Sequence, residues 1–224
     1  MSYISIAIDG PAGAGKSTIA RALAAQNGWL YVDTGAIYRT VGLYALRQGI
    51  DPKQEAQVVP LLRELDIAMQ VEDDGVQHMY LNGEDVTRAI RAPEIAMYAS
   101  SVSAHAAVRS FLLEMQRSLA RTRDVVMDGR DIGTVVLPDA TVKIYLTASA
   151  EIRARRRWLE QQQKGNEQPY EDVLADVKRR DQQDMNRAVA PLRQAEDAVL
   201  ADTSELDFAQ SVALLQDIIK EHLN

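Results

Sequence analysis

The fold is decided near the N-terminus by the stretch ISIAIDGPAGAGKST, residues 4–18. It opens with a short apolar run that predicts a buried strand ending in Asp9, and residues 16–26 then have the composition of a helix. Between them lies G-x-x-x-x-G-K-[ST], a phosphate-binding loop in which glycines let backbone N–H groups converge on an anion. In this motif Lys16 reaches the β- and γ-phosphates of ATP, and the Ser17 hydroxyl ligates Mg²⁺. The predicted ATP site consists of Gly10, Pro11, Ala12, Gly13, Ala14, Gly15, Lys16, Ser17 and Thr18.

The rest of the chain continues to alternate between strands and helices. Apolar runs predict further strands at 29–32, 125–127, 142–146 and 198–201. Helical composition predicts helices at 36–48, 105–121, 149–163, 170–185 and 208–223. Asp51 and Pro52 predict one more helix, to about residue 65, with the two residues as N-cap and first helical residue. This order is typical of an α/β fold, in which helices cover a parallel sheet.

One segment, at about residues 63–101, interrupts this alternation and predicts an insert. Residues 67–72 and 76–81 resemble the two strands of a hairpin, with its turn at Asp73-Asp74-Gly75. Pro93 extends the non-helical stretch. We therefore expect a core at 1–62 and 102–224 that carries an antiparallel insert.

Composition excludes several classes of protein. The 224 residues contain no cysteine, which rules out disulfide frameworks, thiolate zinc sites and cysteine nucleophiles. A net charge of −7 argues against a nucleic-acid partner, and no apolar run is long enough for a membrane span. We expect a cytoplasmic protein, because no basic segment precedes an apolar stretch at the start. We expect a monomer, because there is no heptad repeat or large apolar stripe.

Two more polar segments follow predicted strands, at the sheet edge where open parallel sheets collect their ligands. Residues 33–39 place Arg39 one helical turn beyond the second strand, and residues 128–131 follow the strand at 125–127. An apolar run that ends in Asp is typical of a carboxylate holding Mg²⁺. Ser17 and Asp128, the latter through water, are therefore the predicted metal ligands. A solvated helix arginine and a charged surface turn are the structural alternatives.

Arginines are concentrated on the helix predicted at 149–163. Arg153 and Arg157 lie one turn apart on one face, in a cluster that nearby glutamates neutralise only in part. Taken alone, the cluster is an exposed charged face. Beside a phosphate-binding loop, its unpaired charge predicts a lid, at about 149–166, that closes on ATP phosphates. Further along, Arg180, Asp184 and Arg187 follow helical spacing and would project from one side of a helix.

Together these motifs resemble the bacterial cytidylate kinase family. The segments that carry the resemblance are IDGPAGAGKST at 8–18, DTGAIYR at 33–39, DGRDIGTVV at 128–136 and NRAVAPL at 186–192. The resemblance implies the P-loop nucleoside monophosphate kinase fold, an α/β fold with a five-stranded parallel sheet core flanked by helices, a lid and a small antiparallel-sheet insert that binds the monophosphate. It implies ATP and CMP or dCMP as substrates, and Mg²⁺, bound as MgATP, as cofactor.

The same resemblance implies roles for individual residues. Arg39 and Arg130 would bind the phosphate of CMP. Ser100, Arg109 and Asp131 would bind cytosine, and Arg180, Asp184 and Arg187 would bind the ribose and phosphates. Thr34, where a serine is also common, completes an implied CMP site of Thr34, Arg39, Ser100, Arg109, Arg130, Asp131, Arg180, Asp184 and Arg187. The implied catalytic residues are Lys16, Arg39, Arg130, Arg153, Arg157 and Arg187.

Two other functions stay open on the sequence alone. The chain could phosphorylate a different small acceptor, such as UMP, dTMP or shikimate. It could also be a nucleotide-gated switch or an ATPase module. Neither the Asn-Lys-x-Asp signature of GTPases nor the Leu-Ser-Gly-Gly-Gln signature of transporter ATPases occurs in the sequence, which disfavours this second class.

Overall fold

A computed structural model describes residues 3–72, 77–163, 165 and 167–223. The elements in chain order are β1 (Ser5–Asp9), α1 (Lys16–Asn27), β2 (Leu30–Asp33), α2 (Thr34–Arg47), α3 (Glu55–Leu61), β3 (Ile67–Val71), β4 (Gln77–Leu81), β5 (Glu84–Asp85), α4 (Pro93–Val102), α5 (Ala106–Ala120), β6 (Val125–Gly129), β7 (Val142–Thr147), α6 (Ala150–Gln163), α7 (Tyr170–Asn186), β8 (Val199–Asp202) and α8 (Phe208–Leu223). A 3₁₀ turn at Ala89–Arg91 precedes α4, and a π-helical turn at Ile132–Val136 follows β6. The chain forms two compact units, Met1–Tyr31 with Thr122–Asn224, and Val32–Arg121.

The main sheet is parallel and has the strand order β2-β6-β1-β7-β8. The central strand β1 pairs with β6 on one side and with β7 on the other, so that Asp9 lies opposite both Gly129 and Tyr145. Ile6 and Ile8 on β1 are fully buried, as a central parallel strand covered on both faces requires. The predicted α/β fold and its parallel strands are confirmed.

The second unit contains a three-stranded antiparallel sheet with the order β3-β4-β5. Asn82 and Gly83, both with positive φ, form the two-residue turn that pairs Leu81 with Glu84. The two antiparallel strands predicted from the sequence are confirmed by β3 and β4, whereas β5 was not anticipated. The turn predicted at Asp73-Asp74-Gly75 lies outside the described residues.

The prediction that Asp51 and Pro52 begin a helix is wrong. Asp51 instead accepts a hydrogen bond from the Lys53 backbone N–H at 3.0 Å, which forms a local turn. Gln54 is then extended, with φ −91° and ψ 96°, and α3 begins only at Glu55. The aspartate therefore caps a turn and not the helix.

The non-helical interpretation of Pro93 is also wrong. Pro93 is the first residue of α4. Proline is favoured at that position because the N–H that it lacks would have no acceptor within the helix. Gly42 of α2 allows α4 to pack closely, since a Cβ at this position would come within 2.9 Å of the Ala99 nitrogen. None of the helices in the described ranges has both the length and the apolar character of a membrane span.

Candidate active site

The phosphate-binding loop joins β1 to α1 in the first unit. Gly10 must be glycine, because its φ is +150° and an added Cβ would lie 1.9 Å from the Leu146 carbonyl oxygen. Gly15, at φ 91°, is the N-cap of α1 and makes no side-chain capping bond. The helix N-terminus therefore presents backbone N–H groups and the positive end of its dipole, as phosphate binding requires.

Lys16 lies at the start of α1 and is almost fully buried, with 5% of its surface exposed. Its Nζ donates to the Pro11 carbonyl oxygen at 2.8 Å, so the ammonium is folded back onto the loop. Burial, together with the nearby Arg130 charge, lowers the pKa of Lys16 to about 7. A bound phosphate would favour the charged ammonium and oppose both effects.

The predicted metal ligands Ser17 and Asp128 are brought together by the fold. The Ser17 hydroxyl donates to Asp128 Oδ2 at 2.9 Å, and the Tyr31 hydroxyl donates to Asp128 Oδ1, also at 2.9 Å. Hydroxyl and carboxylate oxygens are the ligands that Mg²⁺ prefers, and Mg²⁺ usually takes its other ligands from water and substrate phosphates. The pair therefore fits a magnesium ion that accompanies ATP.

Asp9 has a structural role that the sequence analysis did not identify. Its two carboxylate oxygens accept the backbone N–H groups of Ile132 and Gly133, both at 2.7 Å. Burial raises the pKa of Asp9 to about 6, although both N–H bonds act in the opposite direction. The carboxylate thereby fixes the turn that follows Arg130 and Asp131. The sequence feature that could have indicated this role is an Asp at the end of a buried strand, directly before the phosphate-binding loop.

Four of the residues implied to bind CMP form two ion pairs in the first unit. Arg130 Nε donates to Asp184 at 2.8 Å, and Arg187 lies 3.4 Å from Asp131. The expectation that Arg187 projects from a helix is wrong, because α7 ends at Asn186 and Arg187 is extended, with ψ 141°. Its Nε donates to the Ala190 carbonyl oxygen instead.

The arginine cluster on α6 contacts the phosphate-binding loop. Arg153 donates to the Ala12 carbonyl oxygen at 3.0 Å, and a Cβ added to Gly13 would lie 3.4 Å from Cδ of Arg157. The premise that the cluster is unpaired is wrong for Arg153, which donates to both oxygens of Asp181 at 3.0 and 2.6 Å. The local sequence around Arg153 does not indicate this pairing, because Asp181 lies on another helix, α7.

In the second unit, Asp33 organises the start of α2. Its Oδ1 accepts the Ala36 N–H at 2.9 Å, and its Oδ2 lies 3.6 Å from the Arg39 guanidinium. Its own N–H donates to the Gln77 side chain of β4 at 2.7 Å, which ties the antiparallel sheet to this helix start. Thr34, the first residue of α2, is buried.

Arg109 and Ser100 occupy the two helices that follow the antiparallel sheet. Arg109 on α5 is buried, lies 5.3 Å from the ring centroid of Tyr38 and donates to the Ser103 carbonyl oxygen at 3.2 Å. Tyr38 therefore supports this guanidinium through a cation–π contact that the sequence did not indicate. Ser100, near the end of α4, is half-buried, and its carbonyl oxygen accepts a bond from the Ser103 hydroxyl.

Comparisons with known proteins agree along almost the whole chain. A family model described as cytidylate kinase matches residues 6–221. A cytidylate kinase of Caldicellulosiruptor bescii is 51% identical over 220 residues, which cover 98% of this chain and 96% of that protein. One of Geobacter sulfurreducens is 48% identical over 216 residues, which cover 96% and 92%. A crystal structure of an uncharacterized protein from Eubacterium ventriosum shares the fold, with a TM-score of 0.51 at 12% identity over 97% of this chain and 98% of that one.

Proposed function

The chain belongs to the cytidylate kinase family, and we propose below which of its residues carry the reaction and how. It is an ATP-dependent phosphotransferase of pyrimidine nucleotide metabolism, which converts ATP and CMP or dCMP to ADP and CDP or dCDP. Phosphoryl transfer needs little covalent help from a protein, so the residues act by aligning the two substrates and neutralising charge.

The residues at 10–18 are assigned to ATP. Backbone N–H groups of the loop and of the α1 N-terminus bind the phosphates, and Lys16 exchanges its bond to Pro11 for oxygens of the β- and γ-phosphates. Ser17 and, through water, Asp128 would hold Mg²⁺, which neutralises charge on the phosphate oxygens when bound. The hydroxyl–carboxylate contact between these two residues supports this assignment.

The residues that the resemblance implies for CMP keep that assignment here. In the first unit, Arg130 binds its phosphate, Asp131 accepts from the cytosine amino group, and Arg180, Asp184 and Arg187 bind the ribose and phosphates. In the second unit, Arg39 binds the phosphate, Thr34 contributes its hydroxyl, and Ser100 and Arg109 bind cytosine. The burial of Arg109 and Asp131 supports base recognition, because a buried polar group discriminates strongly between matched and mismatched partners.

The segment at about 149–166 is assigned as a lid, and the segment at 63–101 as the monophosphate-binding insert. Arg153 and Arg157 act in the lid by meeting ATP phosphates and excluding water, which would otherwise accept the phosphoryl group. The hydrogen bond from Arg153 to Ala12 and the position of Arg157 beside Gly13 support this proposal. We further propose that the enzyme works as a cytoplasmic monomer.

The assignment of roles depends on one observation above all. The fold brings Lys16, Ser17 and Asp128 close together at the end of the central strands. A panel of acceptors in an ADP-release assay tests the activity: CMP and dCMP should give faster turnover than UMP, dTMP or shikimate. Lys16→Ala serves as the inactive control. Faster turnover with another acceptor, or hydrolysis without acceptor that exceeds turnover with CMP, would contradict the proposal.

A further inference from the structure

Tyr31 is a buried side chain beside the candidate active site to which no role has been given so far. Its ring belongs to the same apolar cluster as Leu23 and Val126, and the Arg21 guanidinium lies 5.4 Å from the ring centroid. These contacts hold the ring in place. The hydroxyl at its far end donates to Asp128 Oδ1 at 2.9 Å.

The two oxygens of Asp128 therefore have different partners. Oδ1 faces the phenol of Tyr31, whereas Oδ2 faces the hydroxyl of Ser17. The terminal torsion of an aspartate is broad, so an unsupported carboxylate could rotate its plane until neither oxygen points at Ser17. A donor on a rigid ring removes that freedom, because turning the carboxylate would break a buried hydrogen bond.

We infer that Tyr31 is a positioning residue that orients the Asp128 carboxylate toward Ser17 and the magnesium ion of MgATP. The inference rests on the proposed metal role of Asp128. Hydrogen-bond partners behind a metal ligand commonly change metal affinity or activity by about 10- to 100-fold when removed. Asp128 is proposed to act through water, one step further from the ion, so we expect an effect of about 10-fold.

Loss of the Tyr31 hydroxyl also has an electrostatic effect on cation binding, and its sign is opposite to that of lost orientation. A phenol that donates to a carboxylate withdraws negative charge from it, so removing the phenol could tighten binding of a cation. If orientation is the main contribution, Tyr31→Phe weakens metal binding. If withdrawal of charge is the main contribution, the same substitution strengthens it.

Tyr31→Phe removes the hydroxyl and keeps the ring, its packing and its contact with Arg21. Tyr44→Phe is a matched control, because the Tyr44 hydroxyl donates to the Glu64 carboxylate at 3.0 Å and the two tyrosines are 8% and 9% exposed. The measurement is a titration of the enzyme–ADP complex with Mn²⁺, followed by electron paramagnetic resonance. No turnover is needed for this readout.

Tyr31→Phe should weaken Mn²⁺ binding about 10-fold, while Tyr44→Phe leaves it unchanged. In steady state, excess Mg²⁺ should restore the turnover of Tyr31→Phe, and its KM for CMP should not change. Unchanged or tighter Mn²⁺ binding in Tyr31→Phe, or a loss of turnover that Mg²⁺ does not restore, would overturn the inference.

Asp128→Asn separates this inference from the function on which it rests. It should weaken Mn²⁺ binding more than Tyr31→Phe does. If Asp128→Asn weakens binding and Tyr31→Phe does not, the positioning role of Tyr31 is wrong and the metal role of Asp128 stands. If Asp128→Asn has no effect on Mn²⁺ binding, both are wrong.

Discussion

The ion pair between Arg153 and Asp181 allows a sharp test of how the lid helix is held. Asp181→Asn keeps the shape of the side chain but removes its charge. The two side chains are only 6% and 14% exposed, and the bonds between them measure 3.0 and 2.6 Å. Removing one partner of a buried pair costs about 3–5 kcal/mol, because the other charge is left without compensation.

We expect the lower end of this range for Asp181→Asn. Arg153 keeps its bonds to the carbonyl oxygens of Ala148 and Ala12, at 2.7 and 3.0 Å, and these offset part of its charge. A loss of about 3 kcal/mol in a chain of this length lowers Tm by about 6–12 °C. Asp176→Asn is the matched control on the same helix, because the pair of Asp176 with Arg179 at 2.8 Å is exposed and worth about 0–1 kcal/mol.

The assay is thermal unfolding followed by circular dichroism, first in phosphate-free buffer without nucleotide and then with saturating ATP. If Arg153 leaves Asp181 to meet ATP phosphates, the phosphates replace the lost carboxylate, and the Tm difference between Asp181→Asn and the native chain narrows. Equal Tm losses for Asp181→Asn and Asp176→Asn would refute the stabilising role of the buried pair. A difference that does not narrow with ATP would contradict the lid role of Arg153.

Three other substitutions each test one part of the site. Lys16→Ala should abolish turnover without loss of Tm, because burial lowers the pKa of this lysine and its charge does not support the fold; substantial turnover of the folded variant would contradict its role. Asp131→Ala should lower kcat/KM for CMP much more than for UMP, since each contact is worth roughly 5- to 150-fold; an unchanged ratio would remove Asp131 from base recognition. Asp9→Asn tests how stability depends on pH. Because the pKa of Asp9 is raised to about 6, its protonated form stabilises the native chain at low pH, and this contribution is lost as pH rises through 6. Denaturant unfolding should show that the free energy of unfolding of the native chain falls by about 2 kcal/mol relative to that of Asp9→Asn between pH 4 and 7, and a pH-independent difference would contradict the raised pKa.

The parts of the fold that the sequence predicted are those set by local pattern. A central parallel strand is buried on both faces, so β1, β6 and β7 show as short apolar runs wherever they occur. The start of α3 was mispredicted because Asp51 is suited equally to a turn and to a helix cap, and the extended backbone at Gln54 decides between them. The start of α4 was missed because proline marks both loops and first helical turns.

In the candidate site, the phosphate-binding loop was predictable because its residues are contiguous in the sequence. The side chains that hold the residues around the loop come from distant parts of the chain, so they were not predictable. Tyr31 and Asp128 are 97 positions apart, and Arg153 and Asp181 are 28 apart. Nothing in the local pattern around Arg153 indicates that its charge is compensated. Only the packing of α6 against α7 brings its partner within reach, and for that reason the sequence alone indicates an unpaired cluster.

The arginines proposed to bind phosphate differ in how many of their N–H donors are already bonded to protein oxygens. Arg130 meets Asp184 through Nε and the Gly129 carbonyl oxygen through one terminal nitrogen. A guanidinium carries five N–H donors in one plane, so Arg130 can be oriented by Asp184 and bind phosphate at the same time. Arg153 uses all three nitrogens on protein oxygens, two of them on Asp181. These bonds and the one to Ala12 use four of the five N–H donors of Arg153, so a phosphate that accepts two N–H bonds from it must displace a protein oxygen. Binding energy spent on that exchange cannot contribute to the affinity for ATP in the ground state.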